Sequence, residues 1–140
     1  MVKGTITPGN ITFSQEVDLQ AGETKTVKFD KRYFPQMVVN NPKLWWPNGY
    51  GEPHLHTCRL EVVHEGKTSE TEEFRFGIRQ YSYDKKDGVF HLYINGVPVF
   101  VKGSDWGMSE YMLRSNPEHI RTWVKLNKEM NFNMIRNWLG

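Results

Sequence analysis

The sequence has one cysteine, Cys58, and contains no long hydrophobic run. A single thiol excludes a disulfide within the chain and any zinc site built from cysteines alone. No run approaches the roughly 18 apolar residues of a membrane-spanning helix. The first ten residues, MVKGTITPGN, lack the apolar core of a signal peptide. We therefore expect no membrane partner, and the compartment is not indicated.

The chain also lacks a dominant charge. Its 18 basic and 16 acidic residues give a formal net charge of +2, and neither sign forms a continuous block. This balance does not indicate a nucleic-acid partner. With 140 residues, 38% of them hydrophobic and 14% aromatic, the chain can bury a core. Its length fits one domain, or one domain plus a fragment of another.

Short alternating apolar runs separated by turn residues extend to about residue 100 and predict antiparallel β structure. Residues 15–29 read as a hairpin that turns at Ala21–Glu23. Residues 57–79 read as two strands joined at Glu65–Lys67, with one apolar face formed by Cys58, Leu60, Val62, Phe74, Phe76 and Ile78. Strands spaced in this way favour a two-sheet sandwich, although the five or six candidates fall short of the usual seven or more.

A different pattern begins after residue 84. Asn95-Gly96 predicts a tight hairpin turn, followed by an apolar strand that ends at Gly103. Asn116 and Pro117 predict a helix start, and an apolar stripe at helical spacing follows at Ile120, Trp123, Val124, Leu126 and Met130. Residues 97–138 therefore read strand, loop, helix, strand, a β-α-β unit whose two strands lie parallel.

Four segments, in this order and spacing, resemble family 2 glycoside hydrolases, most closely the β-mannosidase and mannosylglycoprotein endo-β-mannosidase branch. They are LWWPNGYGEPHLH, FGIRQ, INGVPVFVKGSDW and MNFNMIRNWLG. The resemblance implies a mainly β fold. Residues 1–84 would form an immunoglobulin-like β-sandwich whose first strand is missing. Residues 85–140 would form a lead-in hairpin and the first β-α-β unit of a (β/α)8 barrel, so that the chain is a fragment.

The resemblance implies a retaining glycosidase that acts on a β-linked oligosaccharide or glycoside, without a cofactor. Retaining hydrolysis needs two carboxyl groups about 5 Å apart. In the family both come from later barrel strands, beyond Gly140, so we expect this chain to be inactive and assign it no catalytic residue. Asp105 and Glu110 follow the first barrel strand, where barrel enzymes place their sites, but neither has a second carboxyl partner at that separation.

The resemblance assigns four substrate-binding candidates. Arg136 matches the arginine near the nucleophilic carboxylate, where a guanidinium favours and orients the charged form. Trp106 matches the tryptophan of a GxNW loop, and Asp105 stands where that loop more often has asparagine. Trp138 shares the side of its strand with Arg136. The alternatives are a surface or structural role for Arg136 and core packing for Trp138.

Adjacent indoles in a turn-prone segment have two interpretations. Trp45 and Trp46 either stack on sugar rings or bury apolar area and anchor a loop rich in proline and glycine. We favour the anchor, since the resemblance makes this stretch a structural loop. The rival function is a carbohydrate-binding module that presents Trp45, Trp46 and Tyr50 as a stacking platform.

Two further features concern metals and partners. His54 and His56 point the same way if they lie on a strand, but no third ligand has matching spacing, so we expect no metal. Cys58 reads as a small buried apolar residue. Two parallel strands and one helix cannot cover both faces of a sheet, and open strand edges favour self-association or recruitment of another chain.

Overall fold

The computed structural model describes residues 1–107 and 116–137. The described part is mainly β and forms two compact units, Met1–Lys43 with His54–Ile78, and Leu44–Pro53 with the residues from Arg79 onward. The elements are β1 Val2–Thr7, β2 Ile11–Gln15, a 3-10 helix Pro35–Met37, β3 His56–His64, β4 Lys67–Phe76, β5 Tyr81–Lys86, β6 Val89–Ile94, β7 Val97–Val99, β8 Gly103–Trp106, α1 Pro117–Glu129 and β9 Met134–Asn137. Within the described ranges, no helix is long and apolar enough to cross a membrane.

The first unit contains an antiparallel sheet in the order β2-β1-β3-β4. Strands β3 and β4 and the turn between them confirm the two predicted strands, although β4 ends at Phe76, and Val62 and Phe74, expected to be inward, are 42% and 45% exposed. Glu65 and Gly66 occupy the turn with positive φ angles of 50° and 74°, as a two-residue hairpin loop requires. Cys58 is buried, whereas Arg59 on the opposite face is exposed. One face of this sheet is therefore apolar and the other is polar.

The predicted hairpin over residues 15–29 is wrong. Residues 16–34 contain no strand, although Glu23 N donates to Gln20 O at 3.0 Å and forms the expected turn. The hairpin beside β3 is instead formed by β1 and β2, which pair with each other while β1 pairs with β3. Leu19, expected on an apolar face, is 57% exposed.

Part of this irregular segment closes the apolar face of the sheet with aromatic rings. The ring of Phe29 lies 4.6 Å from that of Phe13, and the ring of Phe34 lies 5.1 Å from that of Phe29. Phe13, in β2, is 5% exposed. Gly4 lies directly opposite in β1, where a Cβ atom would collide with the Phe13 ring. The core of the first unit is therefore an aromatic cluster seated over a glycine.

The second unit contains the antiparallel sheet β5-β6-β7 and the separate parallel pair β8-β9. The Asn95-Gly96 turn is confirmed, with φ angles of 52° and 78°. The helix is also confirmed: Asn116 Oδ1 accepts a hydrogen bond from His119 N at 2.8 Å, and Pro117 is the first helical residue. One boundary differs, because the strand parallel to β9 begins at Gly103, where the sequence predicted a strand to end. Residues 97–99 pair antiparallel with β6 instead.

Candidate functional site

The ends of the parallel strands bring two of the predicted site residues together. Asp105 and Arg136 are register partners across the β8-β9 pair, and Arg136 Nε lies 3.7 Å from Asp105 Oδ1. Their side chains are 54% and 68% exposed, so solvent screens the pair strongly and its contribution to stability is small. Both line a cavity of about 230 Å³ together with Gly103 and Met134. The arrangement is an exposed, charge-balanced pair beside a small cavity that is lined mostly by apolar atoms.

Trp106 lies on the other side of β8, because side chains alternate along a strand. Its ring centroid is 5.5 Å from that of Trp123 in α1. The indole Nε1 is buried and has no hydrogen-bond partner among the described residues. In this structure Trp106 therefore packs against the helix, and its predicted role toward a sugar stays a prediction. Trp138 and Glu110 lie outside the described residues.

The segment that carries the adjacent indoles is a closed loop. Trp45 forms a β-bridge with Pro53, and Trp46 N donates to Glu52 O at 3.3 Å. Gly51 lies against the indole of Trp46, with φ of 152°, and a Cβ there would sit 2.9 Å from Trp46 Cδ1. Trp46 therefore packs on the backbone of its own loop, as expected for an anchor.

Polar contacts tie this loop to the β5-β6-β7 part of the same unit. Asn95 Nδ2 donates to Trp45 O at 3.0 Å, and the Tyr50 hydroxyl accepts a hydrogen bond from Phe100 N at 2.8 Å. The guanidinium of Arg79 lies over the rings of Trp45 and Tyr81. These contacts support the structural interpretation of the loop.

A larger cavity, of about 590 Å³, lies between the loop, α1 and the start of β9. Trp45 and Trp46 line it, together with the polar side chains of Asn48, Glu52, Asn127, Lys128 and Asn133. Tyr50 lines a different cavity, beside β6 and β7. The structure thus places the two indoles at one cavity and separates Tyr50 from them.

Three asparagine side chains donate hydrogen bonds to backbone carbonyls in and around α1 and β9. Asn48 Nδ2 donates to the carbonyls of Lys128 and Phe132 at 3.0 and 3.1 Å. Asn127, 3% exposed, donates from Nδ2 to Trp123 O at 2.8 Å. Asn133 Nδ2 donates to Phe100 O at 2.9 Å. Among these three, Asn48 connects the end of α1 to the residues before β9, whereas Asn133 connects those residues to the segment before β8.

The described residues offer no cluster of three or more His, Cys, Asp or Glu side chains able to hold a metal ion. His56 is buried at 5% exposure and stacks on Phe76, with ring centroids 5.6 Å apart. Burial raises the pKa of the Cys58 thiol, which keeps it protonated and unreactive. Neither residue has the surroundings of a nucleophile or a metal ligand.

Comparison with known proteins identifies the family. The model of glycosyl hydrolases family 2 matches residues 2–79, which is more than half of the chain. The chain belongs to this family. The match confirms the resemblance to family 2 glycoside hydrolases drawn from the sequence, and several similar proteins are named as β-mannosidases.

Three relatives of this family 2 chain illustrate the likeness. The mannosylglycoprotein endo-beta-mannosidase of Lilium longiflorum is 35% identical over 76% of this chain. Beta-mannosidase B of Aspergillus terreus is 33% identical over 99% of it, and the exo-beta-D-glucosaminidase of Streptomyces avermitilis is 30% identical over 96%. The chain spans 11%, 17% and 15% of these relatives, respectively.

The fold of this chain is also similar to that of a solved structure. The exo-chitosanase CsxA of Amycolatopsis orientalis superimposes with a TM-score of 0.77 and 25% identity, over 97% of this chain and 15% of that one.

Sequence reasoning missed the amides of Asn48, Asn127 and Asn133 and the stacked Arg79. Their signal was present in the quoted motifs: Asn48 is the polar residue inside WPNGYG, Asn133 precedes β9 within NFN, and Arg79 ends FGIR. Polar residues within otherwise apolar or turn-forming motifs are candidates for side-chain hydrogen bonds to the backbone.

Proposed function

We propose that this chain forms part of a retaining β-glycoside hydrolase of the β-mannosidase type. Residues 1–84 would belong to an immunoglobulin-like sandwich, and residues 85–140 to a lead-in hairpin and the first β-α-β unit of a (β/α)8 barrel. Two observations support this organisation. Strands β8 and β9 are parallel and joined through α1, and relatives that cover nearly the whole chain are named as β-mannosidases and a glucosaminidase.

The observation that carries the proposal is the pairing of Asp105 with Arg136 at the carboxyl ends of parallel strands. Barrel enzymes build their sites at these ends. Arg136 would hold a carboxylate nucleophile ionised and oriented, because a guanidinium stabilises the charged form. Asp105 would only accept hydrogen bonds from sugar hydroxyl groups. An asparagine at this position would both donate hydrogen bonds to them and accept hydrogen bonds from them. This difference would alter the preference among β-mannosides and β-glucosaminides.

In this proposal the two catalytic glutamates are not among residues 1–140. The reading frame past Gly140 is the first test, and it should encode a glutamate at the end of a fourth barrel strand and another near the seventh. Absence of both would reduce the likeness to one of fold.

Hydrolysis is the second test. The 140-residue chain should leave p-nitrophenyl β-mannoside and p-nitrophenyl β-glucosaminide intact, whereas the polypeptide extended to the length of its relatives should hydrolyse one of them. In the extended protein, Arg136→Gln should lower kcat by about 100-fold or more, in the range for loss of one preorganised charged contact in a transition state. Arg121→Gln, at an exposed position of α1, is the matched control and should leave kcat unchanged.

A second function is favoured by the cavity beside Trp45 and Trp46. Two indoles with Glu52 and Lys128 in the same lining match the chemistry of a sugar-binding site. Titration of the chain with mannosides, followed by tryptophan fluorescence, distinguishes the two functions. Saturable binding that Trp45→Ala and Trp46→Ala abolish, and Tyr83→Ala retains, would establish a carbohydrate-binding module. No change in fluorescence would leave the glycosidase part as the function.

A further inference from the structure

We infer that the side-chain amides of Asn133 and Asn48 set the register of β9 and thereby keep Arg136 on the same face as Asp105. The inference rests on the proposed function only for the use that the enzyme makes of Arg136. The rest of the inference concerns how β9, a short strand that follows a helix, is held in one register against β8.

The register of β9 matters because the strand is short. Only four residue pairs join it to β8, from Gly103 with Met134 to Trp106 with Asn137. Side chains alternate between faces, so a slip of one residue would bring Ile135 to the face of Asp105 and turn Arg136 toward the opposite face. Four residue pairs provide few hydrogen bonds between the strands to oppose such a slip.

Asn133 fixes the residue immediately before the strand. Its backbone N donates to Lys102 O at 2.8 Å, and its Oδ1 accepts a hydrogen bond from Lys102 N at 2.9 Å. Its Nδ2 donates to Phe100 O at 2.9 Å. The amide therefore binds the segment that leads into β8 through both of its polar atoms, one residue before the Gly103–Met134 pair.

Asn48 fixes the turn that leads into the strand. A single Nδ2 group donates to Lys128 O at the end of α1 and to Phe132 O before β9. Phe132 N in turn donates to Asn127 O at 3.0 Å, which closes the turn from within. Because both carbonyls are held by one side chain of the loop, the turn cannot lengthen or shorten to let β9 slide.

The contacts require an amide. Aspartate at position 133 would retain the acceptor for Lys102 N but lose the donor to Phe100 O. Aspartate at position 48 would lose both hydrogen bonds and bring a carboxylate against two carbonyl oxygens. The substitutions Asn133→Asp and Asn48→Asp therefore remove the amide donor with almost no change in side-chain size.

Hydrogen exchange of the 140-residue chain tests the inference. In both variants the amides of β9 that point toward β8, those of Met134 and Arg136, should exchange at least about tenfold faster, as expected for loss of one or two hydrogen bonds of ordinary strength. Amides of β6, such as those of Leu92 and Ile94, should keep their protection. Asn41→Asp is the control, since Asn41 is exposed and its side chain makes no hydrogen bond with the described residues; it should change neither set.

Equal acceleration of β6 and β9 would reveal general destabilisation and overturn the inference, as would unchanged exchange in β9. If an aspartate variant fails to fold, asparagine is replaced at that position by serine, which adds no charge. Hydrogen exchange of the β9 and β6 amides is then measured in the serine variant. Exchange requires no catalysis. Failure of the extended protein to hydrolyse glycosides would therefore refute the proposed function alone, and selective loss of β9 protection would still establish the role of the two amides.

Discussion

Arg79 lies over the indole of Trp45, with its guanidinium carbon 4.3 Å from the ring centroid. The same carbon is 4.8 Å from the centroid of the Tyr81 ring. Cation–π contacts at exposed sites contribute about 0.5–1 kcal/mol. Arg79→Ala should therefore lower the free energy of unfolding by about 1 kcal/mol, measured by urea denaturation with tryptophan fluorescence. Arg79→Lys should recover part of this loss, because an ammonium retains the charge without the planar stack.

Arg75→Ala is the control for this prediction. Arg75 lies on the polar face of β4, is exposed and contacts no aromatic ring in the described part of the chain. Its removal should change the free energy of unfolding by less than about 0.5 kcal/mol. Equal losses at positions 75 and 79 would mean that stacking on Trp45 contributes nothing.

Gly103 is required by the close approach of β9. A Cβ atom at this position would collide with the carbonyl oxygen of Met134, and backbone cannot turn aside as a flexible side chain does. Gly103→Ala should therefore disrupt the β8-β9 pair and cost about 3 kcal/mol, the upper end for overpacking. Urea denaturation measures the loss, and near-ultraviolet circular dichroism reports on the packing of Trp106 against Trp123.

Gly88→Ala provides the comparison, because a Cβ there would meet nothing within 4 Å. Its φ of 79° is unfavourable for alanine and should cost about 1 kcal/mol. If Gly103→Ala lowers the free energy of unfolding by no more than Gly88→Ala does, the Met134 carbonyl must move to accommodate the added methyl group.

Phe13 should be the most costly aromatic residue to truncate in the first unit. It is 5% exposed and packs on Phe29 and Phe34. Phe13→Ala should lower the free energy of unfolding by about 3–5 kcal/mol, as usual for a buried phenylalanine. Phe90→Ala removes the same atoms from a side chain that is 61% exposed and should cost less than about 1.5 kcal/mol. Comparable losses in chemical denaturation would contradict the assignment of the core.

The parts of the fold that the sequence predicted are those with strong local signals. Asn95-Gly96 and Glu65-Gly66 demand positive φ angles that few residues adopt, and Asn116-Pro117 combines a side-chain cap with a fixed φ. Each of these signals operates within four residues, so no tertiary information was needed. A parallel pair joined through a helix was also predicted, but for the apolar strand that ends at Gly103, whereas β9 pairs with Gly103–Trp106.

The hairpin of β1 and β2 shows what local alternation leaves open. Residues 15–29 alternate as well as β1 does, but β1 and β2 form the hairpin beside β3, and residues 16–34 form no strand. The turn Pro8-Gly9-Asn10 between two β-branched runs was the available signal. Which of the alternating segments becomes a strand depends on pairing across the sheet, which periodicity does not reveal.

The candidate site was also predicted only in part. The motif resemblance identified Asp105 and Arg136, which the structure brings to one face, but not the amides of Asn48 and Asn133. Those amides bind backbone carbonyls at sequence separations of 84 and 33 residues. Carbonyl groups carry no sequence identity, so a side chain that recognises them leaves no complementary partner in the sequence.

Tyr93 should titrate at unusually high pH. Its hydroxyl donates a hydrogen bond to Asp84 Oδ2 at 3.0 Å, and this bond, with smaller effects of burial and the Asp84 charge, raises the pKa of Tyr93 above its ordinary value of 10.0. A phenol whose folded pKa exceeds the unfolded pKa stabilises the fold fully below the unfolded pKa. That stabilisation is lost as the pH rises through the folded pKa.

Asp84→Asn tests this prediction, because the amide removes the carboxylate charge and still offers an oxygen to the phenol. The pKa of Tyr93 should fall toward its ordinary value, and the alkaline loss of stability that Tyr93 contributes should shrink or disappear. Tyrosinate absorbance followed through an alkaline titration measures the shift, and Tyr93→Phe identifies the transition that belongs to this residue. A Tyr93 transition at the same pH in the wild-type and Asp84→Asn proteins would show that the hydrogen bond to Asp84 does not hold the phenolic proton.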